Sequence, residues 1–255
     1  MVHFVGAGPG AEDLITVRGL RLVESADVII YAGSLVNPGI LKNAKEGADI
    51  YNSAKMNLDE VIDVTASACS MGKDVVRLHT GDPCIYGAIR EQMDKLDALG
   101  IEYDYTPGVS SFCGAAAALK AEYTLPSVSQ SIIITRQAGR TPVPDRESIK
   151  AFASHQATMV IFLSAGMTDK VQEELIAGGY TEDTPAAIVY KASWPDERVF
   201  RCSVGTLHKT AVDNGIGNLA LLCIGGFLGN DYELSKLYDK TFTTAFREGI
   251  TSVED

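Results

Sequence analysis

The chain has 255 residues, a formal net charge of −11, and 46% hydrophobic against 22% charged residues. These proportions are typical of a globular protein with one large domain or two ordinary ones. The acidic balance argues against nucleic acid as a partner, and no apolar run is long enough to span a bilayer, so no membrane partner is expected. The N-terminus lacks a secretory pattern, and the expected location is therefore the cytoplasm.

The chain opens with a short apolar strand at residues 2–5, followed by the glycine-rich sequence GAGPGA at residues 6–11. Glycines let the backbone turn sharply and approach a ligand closely. Thr16 is a good N-cap residue and predicts that a helix begins just after it. A strand, a glycine loop and a helix in this order are the usual setting for nucleotide binding.

The same loop also fits the dinucleotide pattern G-x-G-x-x-[GA], through Gly6, Gly8 and Ala11. That pattern needs an acidic residue at the end of the second strand, where it holds the ribose. Here the second predicted strand, residues 28–31, is followed by Ala-Gly-Ser, and Asp27 stands before it. A nicotinamide-dependent oxidoreductase is therefore a less favoured alternative, as is a tight turn without any ligand.

Strands and helices alternate up to about residue 120. Asn57 and Glu60 have the spacing of a capping box and predict the start of a helix, and Gly72 is expected to end that helix. The periodicity predicts further strands at 74–79 and 101–105, and helices at 86–99 and 113–119. This alternation predicts a mainly parallel α/β sheet.

Three glycine-bearing loops follow strands of that sheet, at residues 6–11, 80–83 and 107–111. Ligands of parallel sheets bind beyond the carboxyl ends of the strands, so we expect these loops to converge on one pocket. Asp82 is either a turn-former or a carboxylate near a ligand, and the convergence favours the ligand. Ser110 and Ser111 can cap the next helix, contact a ligand, or do both.

A linker at residues 120–129 precedes a second α/β pattern. Its predicted strands lie at 131–135, 158–163, 187–190, 199–203 and 219–227, with a helix near 206–212. The predicted domains are therefore residues 1–120 and 121–229, followed by a polar tail at residues 230–255 to which we assign no function.

A loose set of basic residues lies in the loops of this second half: Arg136, Arg140, Arg146, Lys191 and Arg198. Arginine forks bind two carboxylate oxygens at once, so the set suits an acidic substrate. The single tryptophan, Trp194, is expected to pack either on a flat substrate or in the core. The cysteines and histidines show no ligand spacing, and no metal is expected. Covalent hydrolysis and phosphoryl transfer lack any supporting motif.

Several of these segments together resemble the tetrapyrrole methyltransferase family, which uses S-adenosylmethionine. The resemblance extends to about residue 228 and is carried by residues 5–10 (VGAGPG), 13–16 (DLIT), 81–87 (GDPCIYG), 107–111 (PGVSS) and the strand ending at Leu163. Residues 136–144 and 190–197 look like the branch that methylates precorrin-4, or cobalt-precorrin-4, at carbon 11 in cobalamin biosynthesis. Ala88 stands where the uroporphyrinogen branch has arginine, and Leu163 where it tends to have methionine.

The resemblance implies two α/β domains of the tetrapyrrole methylase type, with the cofactor in the cleft between them, and a homodimer. It also implies a set of residues against S-adenosylmethionine, whose product is S-adenosylhomocysteine: Pro9, Thr80, Gly81, Asp82, Ile85, Ser110, Ser111, Leu163 and Ala192. Arg136, Arg140 and Lys191 are expected to hold the carboxylates of the tetrapyrrole. Asp82 is the one candidate for a catalytic side chain.

A sulfonium methyl group is already activated, so the absence of an obvious catalytic dyad is expected for such an enzyme. The alternatives within the same fold act on another tetrapyrrole, on ribosomal RNA or on diphthamide. A macromolecular target predicts a larger exposed basic or apolar face than this sequence suggests. A module that binds the cofactor without transferring methyl is the non-enzymatic alternative.

Overall fold

The computed structural model of the protein describes residues 1–250. The chain divides into two compact units. The first contains Met1–Leu119 together with Val189–Arg198, and the second contains Lys120–Ile188 and the chain from Val199 onward. A segment from late in the sequence therefore belongs to the first unit. The predicted domain boundaries stay a prediction, and residues 251–255 of the predicted tail lie outside the described residues.

The first unit is built on a five-stranded sheet in which all neighbouring strands are parallel. Its strands are β1 (Val2–Gly6), β2 (Val28–Tyr31), β3 (Asp49–Asn52), β4 (Val75–His79) and β5 (Tyr103–Thr106), in the order β3-β2-β4-β1-β5. Its helices are α1 (Val17–Ser25), α2 (Leu58–Ser70), α3 (Arg90–Leu99) and α4 (Ser111–Leu119). The predicted parallel α/β arrangement is confirmed.

Both faces of this sheet are buried. Ile29 packs with Val5 and Leu78 in one core cluster, whereas its neighbour Ile30 packs with Phe4 in another. Successive side chains of a strand point to opposite faces, so the two clusters cover the two sides of the sheet. This double burial explains why the strands appear in the sequence as continuous apolar runs rather than as alternating patterns.

The helix starts follow the predicted capping chemistry. The Thr16 hydroxyl accepts a hydrogen bond from the Gly19 N–H at 3.1 Å, at the start of α1. At the start of α2, the Asn57 side chain accepts from the Glu60 N–H at 3.0 Å, and the Glu60 carboxylate accepts from the Asn57 N–H at 2.7 Å. The predicted capping box is therefore confirmed.

The start predicted for the third helix is wrong. The pattern placed it near Tyr86, but α3 begins at Arg90. Tyr86 and Ala88 have φ values of 56° and 49°, in the left-handed region that a right-handed helix excludes. Between them, a Cβ on Gly87 would lie 2.1 Å from the Pro83 carbonyl oxygen, so the chain folds back tightly here before the helix begins.

The second five-stranded sheet has mixed pairing. Its strands are β6 (Ile132–Arg136), β7 (Thr158–Phe162), β8 (Pro185–Tyr190), β9 (Arg198–Ser203) and β10 (Ala220–Ile224), in the order β6-β7-β10-β8-β9. These strands belong to the second unit except for the last two residues of β8 and the first residue of β9. β6 and β7 are parallel, and β7 and β10 are antiparallel. The helices of the second unit are α5 (Ile149–Ala153), α6 (Thr168–Ala177) and α7 (Leu207–Asp213).

Three elements were not predicted from the sequence, namely β3, α5 and α6. β3 is an exposed edge strand and lacks the apolar run of a buried one. α5 has only five residues, too few to show helical periodicity. None of the helices within residues 1–250 is long and apolar enough to cross a membrane.

Two basic side chains lie buried on β4, on the way to the second glycine loop. Arg77 donates to the Gln92 side chain at 2.9 Å and to the Ile30 carbonyl at 3.0 Å, and burial lowers its pKa to about 10. His79 is 4% exposed, and its Nε2 has no hydrogen-bond partner within residues 1–250. Burial and then the charge of Arg77 lower the pKa of His79 to about 3, so its ring is neutral at physiological pH.

This buried imidazole predicts a loss of stability in mild acid. Below pH 6.5 the unfolded chain protonates His79 while the folded chain keeps it neutral, so folding stability falls as the pH drops towards 3. The contribution reaches about 1.4 kcal/mol per pH unit. Urea unfolding at pH 6, 5 and 4 measures the free energy of unfolding at each pH. The slope of this free energy against pH should be smaller for His79→Leu than for the wild type, by the contribution of one proton. Equal slopes for the two proteins would contradict the assignment; His155→Gln, at an exposed position, is the matched control.

Candidate functional site

The carboxyl ends of three strands bring the three glycine loops to one edge of the first sheet. In the strand register, Gly6 of β1 lies beside His79 of β4, and Val5 lies beside Thr106 of β5. The first two loops then pair directly, because the Gly81 N–H donates to the Gly8 carbonyl at 2.8 Å and the Gly8 N–H donates back at 3.3 Å. The predicted convergence of these loops is confirmed.

The loops approach so closely that no side chain fits between them. A Cβ on Gly6 would lie 2.6 Å from the Gly108 Cα and from the Gly81 carbonyl oxygen. A Cβ on Gly108 would lie 2.2 Å from that same oxygen. Gly8 and Gly81 also adopt φ values of 80° and 58°, which favour glycine. Glycine is therefore required here for space and for conformation.

The carboxylate of Asp82 holds the second and third glycine loops together. Its Oδ1 accepts from the Cys84 N–H at 2.8 Å and from the Tyr105 hydroxyl, and its Oδ2 accepts from the Gly108 N–H at 3.0 Å. Burial alone would raise the pKa of Asp82, but these hydrogen bonds outweigh it and hold the pKa below its ordinary value. Asp82 is therefore ionised at neutral pH. The hydrogen bonds show that Asp82 bridges the two loops, whereas its catalytic role stays a prediction.

The third loop leads into α4, whose first turn lies at the same edge of the sheet. The Ser110 carbonyl accepts from the Cys113 N–H at 3.0 Å and from the Gly114 N–H at 3.3 Å, so the main chain of Ser110 starts the helix. Ser110 is buried, and Ser111 is the first residue of α4.

Residues 191–197, which we call the tryptophan loop, pack against the first glycine loop. The Trp194 Nε1–H donates to the Pro9 carbonyl at 3.2 Å, and the Ser193 hydroxyl accepts from the Ala11 N–H at 3.0 Å. Ala192 is buried in the same contact. Trp194 is half-buried and packs on the first glycine loop rather than in the core, and its predicted packing on a flat substrate stays a prediction. Sequence reasoning did not foresee its partner, which lies more than 180 residues away.

The predicted cofactor residues gather in the first unit, with one exception. Pro9, Ala192 and α4 meet at Gly114, where a Cβ would lie 2.9 Å from the Cβ of Pro9 and 3.4 Å from that of Ala192. The other first-unit members belong to the second and third loops or follow them directly: Thr80, Gly81, Asp82, Ile85, Ser110 and Ser111. Leu163 belongs to the second unit, where it follows β7, is 58% exposed and has a φ of 52°.

The three basic residues expected to bind the substrate differ in the hydrogen bonds and ion pairs that their side chains already make within the protein. The Arg136 guanidinium donates to the carbonyls of its own loop, at 3.2 Å to Thr141 and 2.8 Å to Pro142. Lys191 pairs with Asp196 at 2.6 Å, and that hydrogen bond raises the pKa of Lys191. Arg140 is exposed, and no hydrogen bond or ion pair engages it within residues 1–250. Of the three, Arg140 presents the most accessible charge.

Comparison with known proteins identifies the family. A profile of the tetrapyrrole (corrin/porphyrin) methylases matches residues 1–208. The chain belongs to this family. A cobalt-precorrin-4 C(11)-methyltransferase of Methanocaldococcus jannaschii is 54% identical over 248 residues, covering 97% of this chain and 96% of that protein.

Solved structures agree with the tetrapyrrole methylase assignment. A cobalt-precorrin-4 methyltransferase has a TM-score of 0.88 at 45% identity, over 90% of this chain and 96% of that one. A uroporphyrin-III C-methyltransferase from Thermus thermophilus, solved with S-adenosylhomocysteine, has a TM-score of 0.75 at 25% identity, over 89% and 92%. The predicted fold class is confirmed.

The bridge formed by Asp82 in this tetrapyrrole methylase gives a direct test. Asp82→Ala leaves three donors without their acceptor, so we expect a loss of about 2–3 kcal/mol in the free energy of unfolding and at least tenfold weaker binding of S-adenosylhomocysteine. Tyr105→Phe removes one of those donors and should cost about 1 kcal/mol. Urea unfolding and titration calorimetry measure both effects, with the exposed Asp63→Ala as control.

Asp82→Asn separates positioning from proton transfer. The amide keeps one oxygen but turns an N–H₂ group towards the Gly108 N–H, which weakens the bridge. A positioning role predicts weaker cofactor binding together with slower turnover. Unchanged binding with a large loss of turnover would instead assign Asp82 a direct catalytic role.

Proposed function

We propose that this protein transfers a methyl group from S-adenosylmethionine to carbon 11 of cobalt-precorrin-4 or precorrin-4, in cobalamin biosynthesis. The observation that carries the proposal is 54% identity over nearly the whole chain to a cobalt-precorrin-4 C(11)-methyltransferase. The matched region covers 97% of this chain and so includes residues 136–144 and 190–197, the segments that first suggested this branch of the family. The structural similarity to a cobalt-precorrin-4 methyltransferase supports the same conclusion.

The residues present fit S-adenosylmethionine. The three glycine loops pack main chain against main chain at the carboxyl edge of a parallel sheet, which is where such sheets bind ligands. The bound S-adenosylhomocysteine of the uroporphyrin-III methyltransferase supports the same cofactor here. We propose Pro9, the second glycine loop and the start of α4 as its principal contacts, with Leu163 and Ala192 completing the set. The place of the cofactor between the two units stays a prediction.

Positioning is the chemistry that these residues can supply. S-adenosylmethionine brings a methyl group already activated on a sulfonium, and the conjugated macrocycle supplies the nucleophilic carbon. Asp82 holds two loops in register, and its ionised oxygens are engaged by three donors. In this proposal the protein aligns the methyl group of the cofactor with the accepting carbon of the macrocycle. Such alignment alone can account for a large rate enhancement.

The acidic substrate needs cations, and Arg140 is the best placed of the expected residues because its guanidinium is exposed and unengaged within residues 1–250. Arg136 would act by shaping the loop that carries Arg140, since its donors hold that loop's carbonyls. Lys191 would need to exchange Asp196 for a substrate carboxylate.

Another tetrapyrrole remains the second candidate, because the family includes uroporphyrin-III methyltransferases of the same fold. Ribosomal RNA fits less well, since the net charge of −11 opposes binding of a polyanion. A nicotinamide cofactor lacks the acidic residue it needs after β2. The homodimer and the cytoplasmic location stay predictions.

A transfer assay tests the proposal. The purified protein is incubated with methyl-labelled S-adenosylmethionine and with enzymatically prepared precorrin-4, with and without cobalt. We expect label at carbon 11, read by mass and by carbon NMR, and the productive sample identifies the form of the substrate. No transfer to either form, with cofactor binding intact, would overturn the substrate and leave the other tetrapyrroles to be tried.

Arg140→Ala in the same assay tests the basic contact. We expect KM for the tetrapyrrole to rise about tenfold, the size of one lost charge-assisted contact, with unchanged affinity for S-adenosylhomocysteine. Arg18→Ala, at an exposed position of α1, is the matched control. An unchanged KM and kcat for Arg140→Ala would remove this residue from the substrate site.

A further inference from the structure

Trp194 occupies space that a side chain at Gly10 would need. A Cβ on Gly10 would lie 2.0 Å from Cδ1 and 2.3 Å from Nε1 of the indole, far inside van der Waals contact. The backbone of Gly10 is not in the left-handed region, so alanine could adopt its conformation. The Ala192 carbonyl oxygen would lie 2.9 Å from that Cβ, a milder clash than the one with the indole, so the missing side chain mainly leaves room for Trp194.

Polar contacts fix the same stretch of the first glycine loop from two sides. On one side the indole N–H donates to the Pro9 carbonyl at 3.2 Å, and the Ser193 hydroxyl accepts from the Ala11 N–H at 3.0 Å. On the other side the Asn37 side chain donates to the Gly10 carbonyl at 2.8 Å. The residues on either side of Gly10 thus have their main chain bound by the tryptophan loop.

The tryptophan loop is braced so that it presents the indole in one orientation. Lys191 and Ser193 have φ values of 49° and 66°, a conformation that costs energy for residues other than glycine. Such strain persists only where the surroundings determine it. Here the Ser193 N–H donates to the Glu197 carboxylate at 2.6 Å, and Lys191 pairs with Asp196 at 2.6 Å. The Lys191 ammonium also lies 5.4 Å from the centre of the indole ring.

We infer that Trp194 is a positioning residue, which locks Pro9 and Gly10 in the conformation that binds S-adenosylmethionine. This inference rests on the proposed function, because Pro9 and Ala192 are proposed cofactor contacts. Trp194 acts through those residues, not on the reacting atoms. Gly10 is its necessary complement, since any larger residue there would displace the indole and the loop together.

The test compares one substitution in two backgrounds. The affinity for S-adenosylhomocysteine is measured by titration calorimetry for the wild type, Gly10→Ala, Trp194→Ala and the double variant. We expect Gly10→Ala to weaken Kd at least tenfold in the wild type and by a clearly smaller factor when Trp194 is already alanine, because the clash with the indole is then gone and only the contact with the Ala192 carbonyl oxygen remains. Gly217→Ala is the matched control, since a Cβ there meets nothing within 4 Å.

The single tryptophan supplies a second readout of binding. Its emission should change as S-adenosylhomocysteine is added, and half of the change should be reached at the calorimetric Kd. Should Gly10→Ala prove insoluble, Trp194→Phe replaces it: an aromatic ring remains but the hydrogen bond to Pro9 is lost, so we expect several-fold weaker binding, with the midpoint of thermal unfolding lowered by only about 2–4 °C.

The outcomes separate this inference from the proposed function. If Gly10→Ala weakens binding by the same factor in both backgrounds, or if Trp194→Ala and Trp194→Phe both bind as the wild type does, Trp194 does not position the loop. If the wild type fails to bind S-adenosylhomocysteine at all, the proposed function is wrong and the inference falls with it.

Discussion

The close approach of three main-chain segments at one sheet edge is the constraint on which the rest of the site depends. A Cβ on Gly6 or on Gly108 would collide with the Gly81 carbonyl oxygen, and the carboxylate of Asp82 ties the second and third segments together. The parallel sheet makes this possible, because β1, β4 and β5 all end at the same edge. Glycine at these positions lets the segments pack main chain against main chain, at the edge where parallel sheets bind ligands.

The same arrangement explains how a site without an obvious catalytic dyad can support methyl transfer. The reacting group arrives activated, so the protein needs geometry more than acid or base. Its polar side chains are accordingly engaged in holding loops, as Asp82 holds the glycine loops and Trp194 holds Pro9. Arg140 is the exception among the proposed contacts, since its charge faces solvent.

The sequence predicted the elements whose causes are local. The cap at Thr16, the box at Asn57 and the buried strands each depend on residues a few positions apart. It failed where a tight turn without a clear sequence signal, or a distant part of the chain, decides the outcome. The left-handed backbone at Tyr86 delays α3, and the contact between Gly10 and Trp194 joins positions that no periodicity relates. The glycine loops could be assigned to one edge from the sequence, because in a parallel sheet neighbouring strands end at the same edge. The hydrogen bond from Tyr105 to Asp82 could be identified only from the structure.

Hydrogen–deuterium exchange with and without S-adenosylhomocysteine tests the central claim that the three glycine loops form the cofactor site. We expect slower exchange in peptides covering residues 6–11, 80–87 and 107–114, together with residues 190–197. We also expect peptides from α2, including Asn57 at its cap, to exchange at the same rate in both samples. Binding by calorimetry without any slowing in the three glycine loops would contradict the account and place the cofactor elsewhere.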